Sequence, residues 1–148
     1  MTEKKMKKSV MVLTVAAIAV VAALVGVAQA QKDKKVIYVS SEKATYTALM
    51  DGVSQQVLMG EPDKGPHATF SKFAPGYDAG MHSHTNDISI VVVKGAYLYK
   101  DEAGEKRVAA GEYLFVPGGH KHWSGGDKKE GAVFYEQGSG KFDTVPAK

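Results

Sequence analysis

The sequence contains no cysteine among its 148 residues. This absence excludes disulfide bonds, thiolate metal sites and cysteine nucleophiles. The stability of the fold must therefore come from a packed core, and a metal site in this chain must be built from nitrogen and oxygen ligands.

The chain also lacks a strong charge of one sign once its first residues are set aside. The formal net charge is +3, but residues 1–30 hold four of the 19 basic residues and one of the 16 acidic residues, which leaves 15 of each in residues 31–148. A neutral domain gives no reason to expect a nucleic acid or an anionic surface as its partner.

Residues 1–30 have the pattern of a secretory signal peptide. The four lysines from Lys4 to Lys8 precede an apolar run from Val10 to Ala28, and small residues follow at the end of the segment. We expect cleavage after Ala30 and a periplasmic or secreted protein. Because the apolar run is longer than usual, a retained single-span membrane anchor is the alternative. Cleavage leaves residues 31–148, a length typical of one domain with no membrane segment.

The rest of the sequence predicts strands and turns. No long stretch after residue 30 has a helical period, whereas turn formers recur among the 16 glycines and 5 prolines of the chain. Runs rich in β-branched and aromatic residues predict strands at Val36–Val39, Thr45–Met50, Val53–Met59, Ala68–Phe73, Ile88–Lys100, Tyr113–Val116 and Val133–Tyr135. The run from Ile88 predicts two strands hinged at Gly95, and the tail from Phe142 is expected to pack back. We therefore predict an all-β fold, a small antiparallel barrel or jelly roll whose mouth can hold one ligand.

Four of the five histidines form two His-x-His clusters, His82-Ser-His84 and His120-Lys-His122. On a β-strand, residues two apart face the same side, so one metal ion can contact both rings of a cluster. The second cluster follows Pro117-Gly-Gly119, which indicates that another strand end lies beside the first. These clusters therefore predict a binding site.

The residues around the clusters resemble the two sequence motifs of the cupin family. The first motif, G-x5-H-x-H-x3,4-E-x6-G, aligns with Gly76, His82, His84 and Gly95. The second motif, G-x5-P-x-G-x2-H-x3-N, aligns with Gly111, Pro117, Gly119 and His122. The resemblance covers about residues 68–136. It implies a double-stranded β-helix, the cupin jelly-roll barrel, with a metal in its narrow interior.

The same resemblance implies that His82, His84 and His122 are metal ligands, with iron, manganese, zinc, copper or nickel as the candidate metals. The sequence departs from the motifs at two positions. Ile88 or Ser89 stands where the first motif has glutamate, and Gly126 stands where the second has asparagine. Three imidazoles with an open coordination position still make a competent site. A barrel that has lost its metal, with the imidazoles as polar lining, is the alternative.

A carboxylate from elsewhere in the chain can replace the missing glutamate. Glu136, which follows an apolar run, and Asp87 are the candidates, and a solvated strand end is the alternative for each. His120 and Glu136 are also the candidates for acid–base catalysis. His120 matches no ligand position, so it is either a group beside the site or an exposed residue. His67 is isolated in the sequence, and we interpret it as a loop or strand-start histidine.

A narrower resemblance is to small secreted cupins of the ChrR-like kind. It rests on the segments Gly65-Pro-His67, His82-Ser-His84, Pro117-Gly-Gly119 and Gly138-Ser-Gly140-Lys-Phe142. This likeness supports the fold and adds little about the substrate.

Two functions are consistent with these residues. The first is a metalloenzyme that acts on a small molecule, with dioxygenase-, isomerase- or hydrolase-like chemistry. The second is a non-catalytic module that binds a small ligand or a metal for sensing or sequestration. A purely structural metal is less favoured, because structural zinc sites normally have four protein ligands. The cupin resemblance also implies a homodimer formed by strand exchange, for which Val36–Val39 is available.

Overall fold

The computed structural model describes residues 35–147, and these residues form strands, turns and loops but no helix. The strands are β1 (Thr47–Met50), β2 (Val53–Gly60), β3 (His67–Phe73), β4 (Asp78–Ser83), β5 (Ile88–Asp101), β6 (Gly104–Ala109), β7 (Tyr113–Val116), β8 (His122–Gly126), β9 (Ala132–Gly138) and β10 (Val145–Pro146). The predicted all-β class is confirmed. The described residues include no helix that is long and apolar enough to span a membrane. The predicted signal peptide, residues 1–30, lies outside the described residues.

The strands pair antiparallel in the order β1-β2-β3-β9-β5-β8-β4-β10, and β6 and β7 also pair with β5. The central strand β5 has 14 residues. Its first half pairs with β7 and β9, and its second half pairs with β6 and β8. The register shifts between Val92 and Lys94, and Gly95 has a φ of 70°. The two strands predicted here are thus one strand, and the irregularity in its pairing with β9 lies just before Gly95.

The core lies on the inner face of this curled sheet. Side chains from β5 alternate inward at Ile88, Ile90 and Val92, and they pack with Phe134 of β9. Each fully buried apolar side chain contributes roughly 1.5–3 kcal/mol to stability. Phe134 and Tyr97 belong to this core and also line a cavity that contains His82. The core therefore supports the wall of the site directly.

The prediction was wrong for Val36–Val39 and right for the C-terminal tail. Residues 35–40 form no strand, and Val36 is 98% exposed. A β-rich composition does not supply the partner that a strand's backbone requires. These residues therefore offer no formed strand for exchange in a dimer. The tail packs back as expected, because β10 pairs with β4 and the Phe142 ring lies 5.1 Å from the ring of His84.

Candidate metal centre

The strands β4 and β8 bring three histidines together. His82 on β4 lies opposite His122, the first residue of β8. His84 follows His82 by two positions and so lies on the same side of the chain. The ring centroids are 4.4 Å apart for His82 and His122, 4.9 Å for His82 and His84, and 5.3 Å for His84 and His122. One potential ligand atom from each ring lies within 4.8 Å of those of the other two.

A backbone carbonyl orients each of the three rings. In every case Nδ1 bonds to a carbonyl oxygen, that of Gly80 for His82 (2.9 Å), Asp143 for His84 (2.6 Å) and His120 for His122 (3.0 Å). Because a carbonyl oxygen only accepts, Nδ1 donates in each ring, and Nε2 of the neutral imidazole keeps a free lone pair. The three Nε2 atoms are therefore the ones available to a metal.

Nε2 of His122 gives the strongest sign of a ligand. His122 is completely buried, and this nitrogen has no hydrogen-bond partner within residues 35–147. Leaving such an atom unsatisfied costs about 1–3 kcal/mol, which a bound metal ion would remove. The ring of Tyr99 stacks on that of His122, with centroids 5.4 Å apart and planes at 18°, and so restricts its orientation.

The electrostatics of the cluster favour neutral imidazoles. Burial lowers the pKa of His122 to about 4 and also lowers the pKa of His82, and the neighbouring imidazoles act in the same direction. Both rings are therefore uncharged at neutral pH, which is the form that binds metals. Three neutral nitrogens suit zinc, copper, nickel or iron, so the residues present fit a transition metal.

Both departures from the cupin motifs have physical explanations. Ile88 is buried in the hydrophobic core, and the Ser89 hydroxyl hydrogen-bonds to that of Tyr113, so neither position presents a carboxylate. A Cβ atom at Gly126 would lie 2.5 Å from the carbonyl oxygen of Ala74. This close approach of two backbone segments leaves no room for the asparagine of the motif.

The two candidate carboxylates have different positions. Asp87 is exposed, and its Oδ1 accepts a hydrogen bond of 2.7 Å from the backbone of Gly118, so it braces the loop before the second histidine cluster. Glu136 is buried on β9 and lines the same cavity as His82 and His84. It is not part of the group of three ligand atoms. Glu136 is therefore a neighbour of the metal centre that a molecule in the cavity can reach.

The cavity has a volume of about 210 Å³. Its apolar wall includes Leu49, Met50, Val53, Phe73, Tyr97, Phe134 and Phe142. Its polar groups besides the histidines are Gln55, Ser71, Tyr77, Ser124, Glu136 and Thr144. The described residues that line it include no lysine or arginine. This lining suits a small, mainly apolar molecule with few negative charges.

His120 lies away from this cavity. Its side chain is 41% exposed, and its Nε2 lies 3.0 Å from Oδ2 of Asp101, which also accepts a hydrogen bond of 2.9 Å from the Tyr99 hydroxyl. Since Tyr99 stacks on His122, the His120 side chain belongs to a network that braces this ring from outside. This position gives His120 a supporting contact rather than a place beside a bound molecule.

His67 is the residue of the site whose importance the sequence analysis missed. It begins β3, as expected for a strand-start histidine, but its side chain is buried. Its Nδ1 lies 2.9 Å from the oxygen of Gly65 and 3.1 Å from that of Gly140, and its Nε2 lies 3.9 Å from Oε1 of Glu136. The signal in the sequence was the ChrR-like pattern at residues 65–67 and 138–142, whose members surround this ring.

The absence of a side chain at Gly138 leaves room for the His67 ring, and a substitution at Gly138 tests this steric explanation. Gly138 pairs with His67 across β9 and β3, and a Cβ atom there would lie 2.3 Å from Cε1 of the ring. We expect Gly138→Ala to displace the ring and to lower the free energy of unfolding by about 1–3 kcal/mol, measured by urea denaturation. Gly65→Ala is the matched control, because a Cβ atom at Gly65 meets nothing within 4 Å. Equal losses in the two variants would contradict the steric explanation.

The sequence matches a known family, and the fold matches solved structures. The family model is that of the ChrR Cupin-like domain, and it matches residues 34–140. A search of curated proteins gave no match. The polyketide cyclase RemF from Streptomyces resistomycificus is similar with a TM-score of 0.65 and 16% identity, over 77% of this chain and 87% of that one.

Two further structures are similar. A protein of unknown function with a cupin-like fold from Ralstonia eutropha JMP134 has a TM-score of 0.62 and 23% identity, over 77% of this chain and 79% of that one. A chain in the complex of Rhodobacter sphaeroides SigE with the anti-sigma ChrR has a TM-score of 0.52 and 20% identity, over 66% of this chain and 49% of that one. These likenesses confirm the predicted cupin fold. Since the family model spans more than half of the sequence, this chain belongs to the ChrR cupin-like domain family.

Proposed function

We propose that this chain is a periplasmic or secreted metalloenzyme that acts on a small molecule, with one transition metal held by His82, His84 and His122. The observation that carries the proposal is the buried Nε2 of His122, which has no partner within residues 35–147 and belongs to a group of three converging ligand atoms. A metal bound there supplies Lewis-acid or redox chemistry at its open position.

The chain's own residues supply binding and proton handling. The apolar wall of the cavity holds the body of a small molecule and excludes water from it. The Glu136 carboxylate, on the same wall, is placed to accept a proton from that molecule. The carbonyl bonds to Nδ1 keep the three imidazoles fixed, so the site needs little rearrangement on binding. These features support oxidation, isomerisation or hydrolysis of a small substrate.

A non-catalytic sensing module is the second candidate. Membership of the ChrR cupin-like family favours it, and one structural neighbour is the complex of SigE with the anti-sigma ChrR. Another neighbour, RemF, is a polyketide cyclase, so the same fold is found in an enzyme and in an anti-sigma complex. We prefer the enzyme because a buried carboxylate lines the same cavity as the histidines.

The metal content of the chain, purified without an affinity tag, tests the proposal. We expect near-stoichiometric iron, manganese, copper, nickel or zinc by mass spectrometry. The metal-loaded and metal-free forms are then compared in oxygen-uptake and hydrolysis screens of small oxygen-bearing apolar compounds, and we expect turnover only with metal. A chain without metal would contradict the metalloenzyme. Bound metal with ligand binding but no turnover would favour the sensing module.

Secretion is tested by the mass of the purified protein. Cleavage after Ala30 gives a periplasmic or secreted chain that begins at Gln31. Intact mass spectrometry of each cell fraction reads this N-terminus directly. A full-length chain recovered only from the membrane fraction would instead show a retained anchor.

A further inference from the structure

His67 and Glu136 form a buried pair, and Glu136 of this pair lines the cavity. We propose that His67, as an imidazolium, is a positioning residue that holds Glu136 ionised, so that this carboxylate accepts the proton of a bound molecule. The inference rests on the proposed function, because it names the proton acceptor of that site. The pairing of the two side chains does not itself require a metal.

The hydrogen bonds of His67 determine where its protons lie. Nδ1 faces two backbone carbonyl oxygens, those of Gly65 at 2.9 Å and Gly140 at 3.1 Å, so this nitrogen must be protonated. Nε2 then faces Oε1 of Glu136 at 3.9 Å. With a neutral ring, its lone pair would point at a negatively charged oxygen. A second proton on Nε2 replaces this repulsion with an attraction between opposite charges.

Both side chains of the pair are buried, so the attraction between them is little screened by water. The side chain of His67 is 0% exposed and that of Glu136 is 9% exposed, and Nε2 has no hydrogen-bond partner in the described part of the chain. A carboxylate withdrawn from water tends to take up a proton unless a cation lies beside it. The Glu136 carboxylate in turn raises the pKa of His67 by more than burial lowers it. The carboxylate therefore favours the charged form of His67.

The other titratable groups near Glu136 do not supply this positive charge. Those that line the cavity with it are His82, His84, Tyr77 and Tyr97. Burial raises the pKa of both tyrosines and lowers that of His82, so these three groups are uncharged at neutral pH. The free Nε2 of His84 belongs to the metal centre. His67, whose Nε2 lies 3.9 Å from Oε1 of Glu136, is therefore the partner that the geometry assigns to this carboxylate.

The pocket of His67 is built by Gly138 and Phe142, neither of which supplies a metal ligand. Gly138 leaves room for the ring, and Phe142 packs against it edge-on, with centroids 6.2 Å apart and planes at 85°. The same Phe142 ring lies 5.1 Å from the ring of His84. One aromatic side chain thus contacts both the pair and the metal centre. The ChrR-like pattern at residues 65–67 and 138–142 describes this pocket.

NMR spectroscopy of the metal-free chain tests the pair without a substrate. Long-range proton–nitrogen spectra of isotope-labelled histidine distinguish an imidazolium from a neutral ring, and His67→Gln assigns the signal. We expect His67 to be an imidazolium at neutral pH, with a titration midpoint that falls by about one pH unit or more in Glu136→Gln. Glu102→Gln is the matched control, because it removes a carboxylate from the exposed turn between β5 and β6. It should leave the midpoint unchanged.

The reciprocal measurement follows Glu136 itself. Carbon NMR of the labelled carboxyl group should show a changed chemical shift at neutral pH in His67→Gln, because the neighbouring cation is lost. His120→Gln, which alters an exposed histidine, is the control and should leave the chemical shift of this carboxyl group in place. Because the two variants probe the pair from opposite sides, either one that folds is sufficient for the test.

Calorimetry with acetohydroxamic acid and the zinc-loaded chain tests proton acceptance. When this probe binds as the hydroxamate, its O–H bond breaks, the electron pair stays on oxygen, and the proton passes to Glu136. Titrations in two buffers of different ionisation enthalpy count the protons released to solvent. We expect about one more proton released in Glu136→Gln than in the wild type. Equal release would overturn the role of Glu136 as acceptor.

Metal affinity, measured on the same samples, separates this inference from the proposed function. His67→Gln should bind zinc as tightly as the wild type, because the three ligand histidines are unchanged. If the pair titrates as expected but the wild type binds no metal, the proposed function fails and the pairing stands. If metal binds but His67 is neutral at neutral pH, or its midpoint does not respond to Glu136→Gln, the pairing is overturned and the metal centre stands.

Discussion

Replacing His122 with alanine is expected to lower the affinity of the chain for zinc by at least about 100-fold, since even residues that only support metal ligands are worth about 10- to 100-fold. The substitution removes one of three converging nitrogens and leaves two imidazoles. Its effect is measured by competition against a chromophoric chelator at neutral pH. Cobalt in place of zinc gives an independent reading, because its absorption spectrum changes when a ligand is lost.

His120→Ala is the matched control for this measurement. It removes the same kind of side chain two residues away, and it keeps the backbone carbonyl that orients His122. Because the His120 side chain is exposed and reaches His122 only through Asp101 and Tyr99, we expect its loss to lower zinc affinity by no more than about tenfold, well below the effect of His122→Ala. Wild-type affinity in His122→Ala, or an equal loss in both variants, would show that zinc binds elsewhere.

The local patterns of the sequence predicted most of what lies within single strands. Period-two spacing correctly placed His82 and His84 on one side of the chain, and turn residues correctly separated most strands. Contacts between strands that are distant in sequence were not predictable in this way. Glu136 meets His67 because β9 lies beside β3, a pairing that no local pattern encodes. The same limit explains the wrong strand at Val36–Val39, whose composition is suitable but whose partner is lacking among the described residues.

Sheet geometry connects the missing glutamate of the cupin motif with Glu136. Ile88, one of the two residues at the motif position, faces the core from β5, and two residues later Ile90 faces the same way. Ile90 pairs with Glu136 on the neighbouring strand β9. A carboxylate therefore reaches the interior from the adjacent strand, while the position on β5 stays apolar. The negative charge of the site thus lies on β9, beside His67, instead of on β5. The site therefore has a carboxylate that is paired with a cation of the chain.

Acidification is expected to destabilise the metal-free chain through His122. Its pKa is about 4 in the folded chain, against the ordinary value of 6.5 that applies when the chain is unfolded. Between these pH values the unfolded chain binds a proton that the folded chain does not. The contribution of His122 to the free energy of unfolding is therefore present in full above pH 6.5 and is lost as pH falls toward 4. The loss from this one residue is about 3 kcal/mol.

Other titratable groups change the free energy of unfolding at a different pH or in the opposite direction. His82, whose pKa is also lowered, adds to the loss. The pKa of His67 is raised, so its contribution is complete below 6.5 and is lost as pH rises through its folded value. The acidic groups with lowered pKa contribute above their ordinary values, 3.8 for Asp101, Asp127 and Asp143 and 4.5 for Glu105, and lose this contribution only at lower pH. The range between 4.5 and 6.5 therefore reports on the histidines.

Urea denaturation of the metal-free wild type, His122→Ala and His120→Ala across this pH range measures the effect. We expect the free energy of unfolding of the wild type and His120→Ala to fall with acidification, and that of His122→Ala to fall by about 3 kcal/mol less. Saturating zinc should stabilise the wild type at neutral pH by mass action, and this gain should disappear as protons compete for the imidazoles. The same pH dependence in all three metal-free proteins would contradict a buried, neutral His122, and with it the reason for placing a metal against its Nε2.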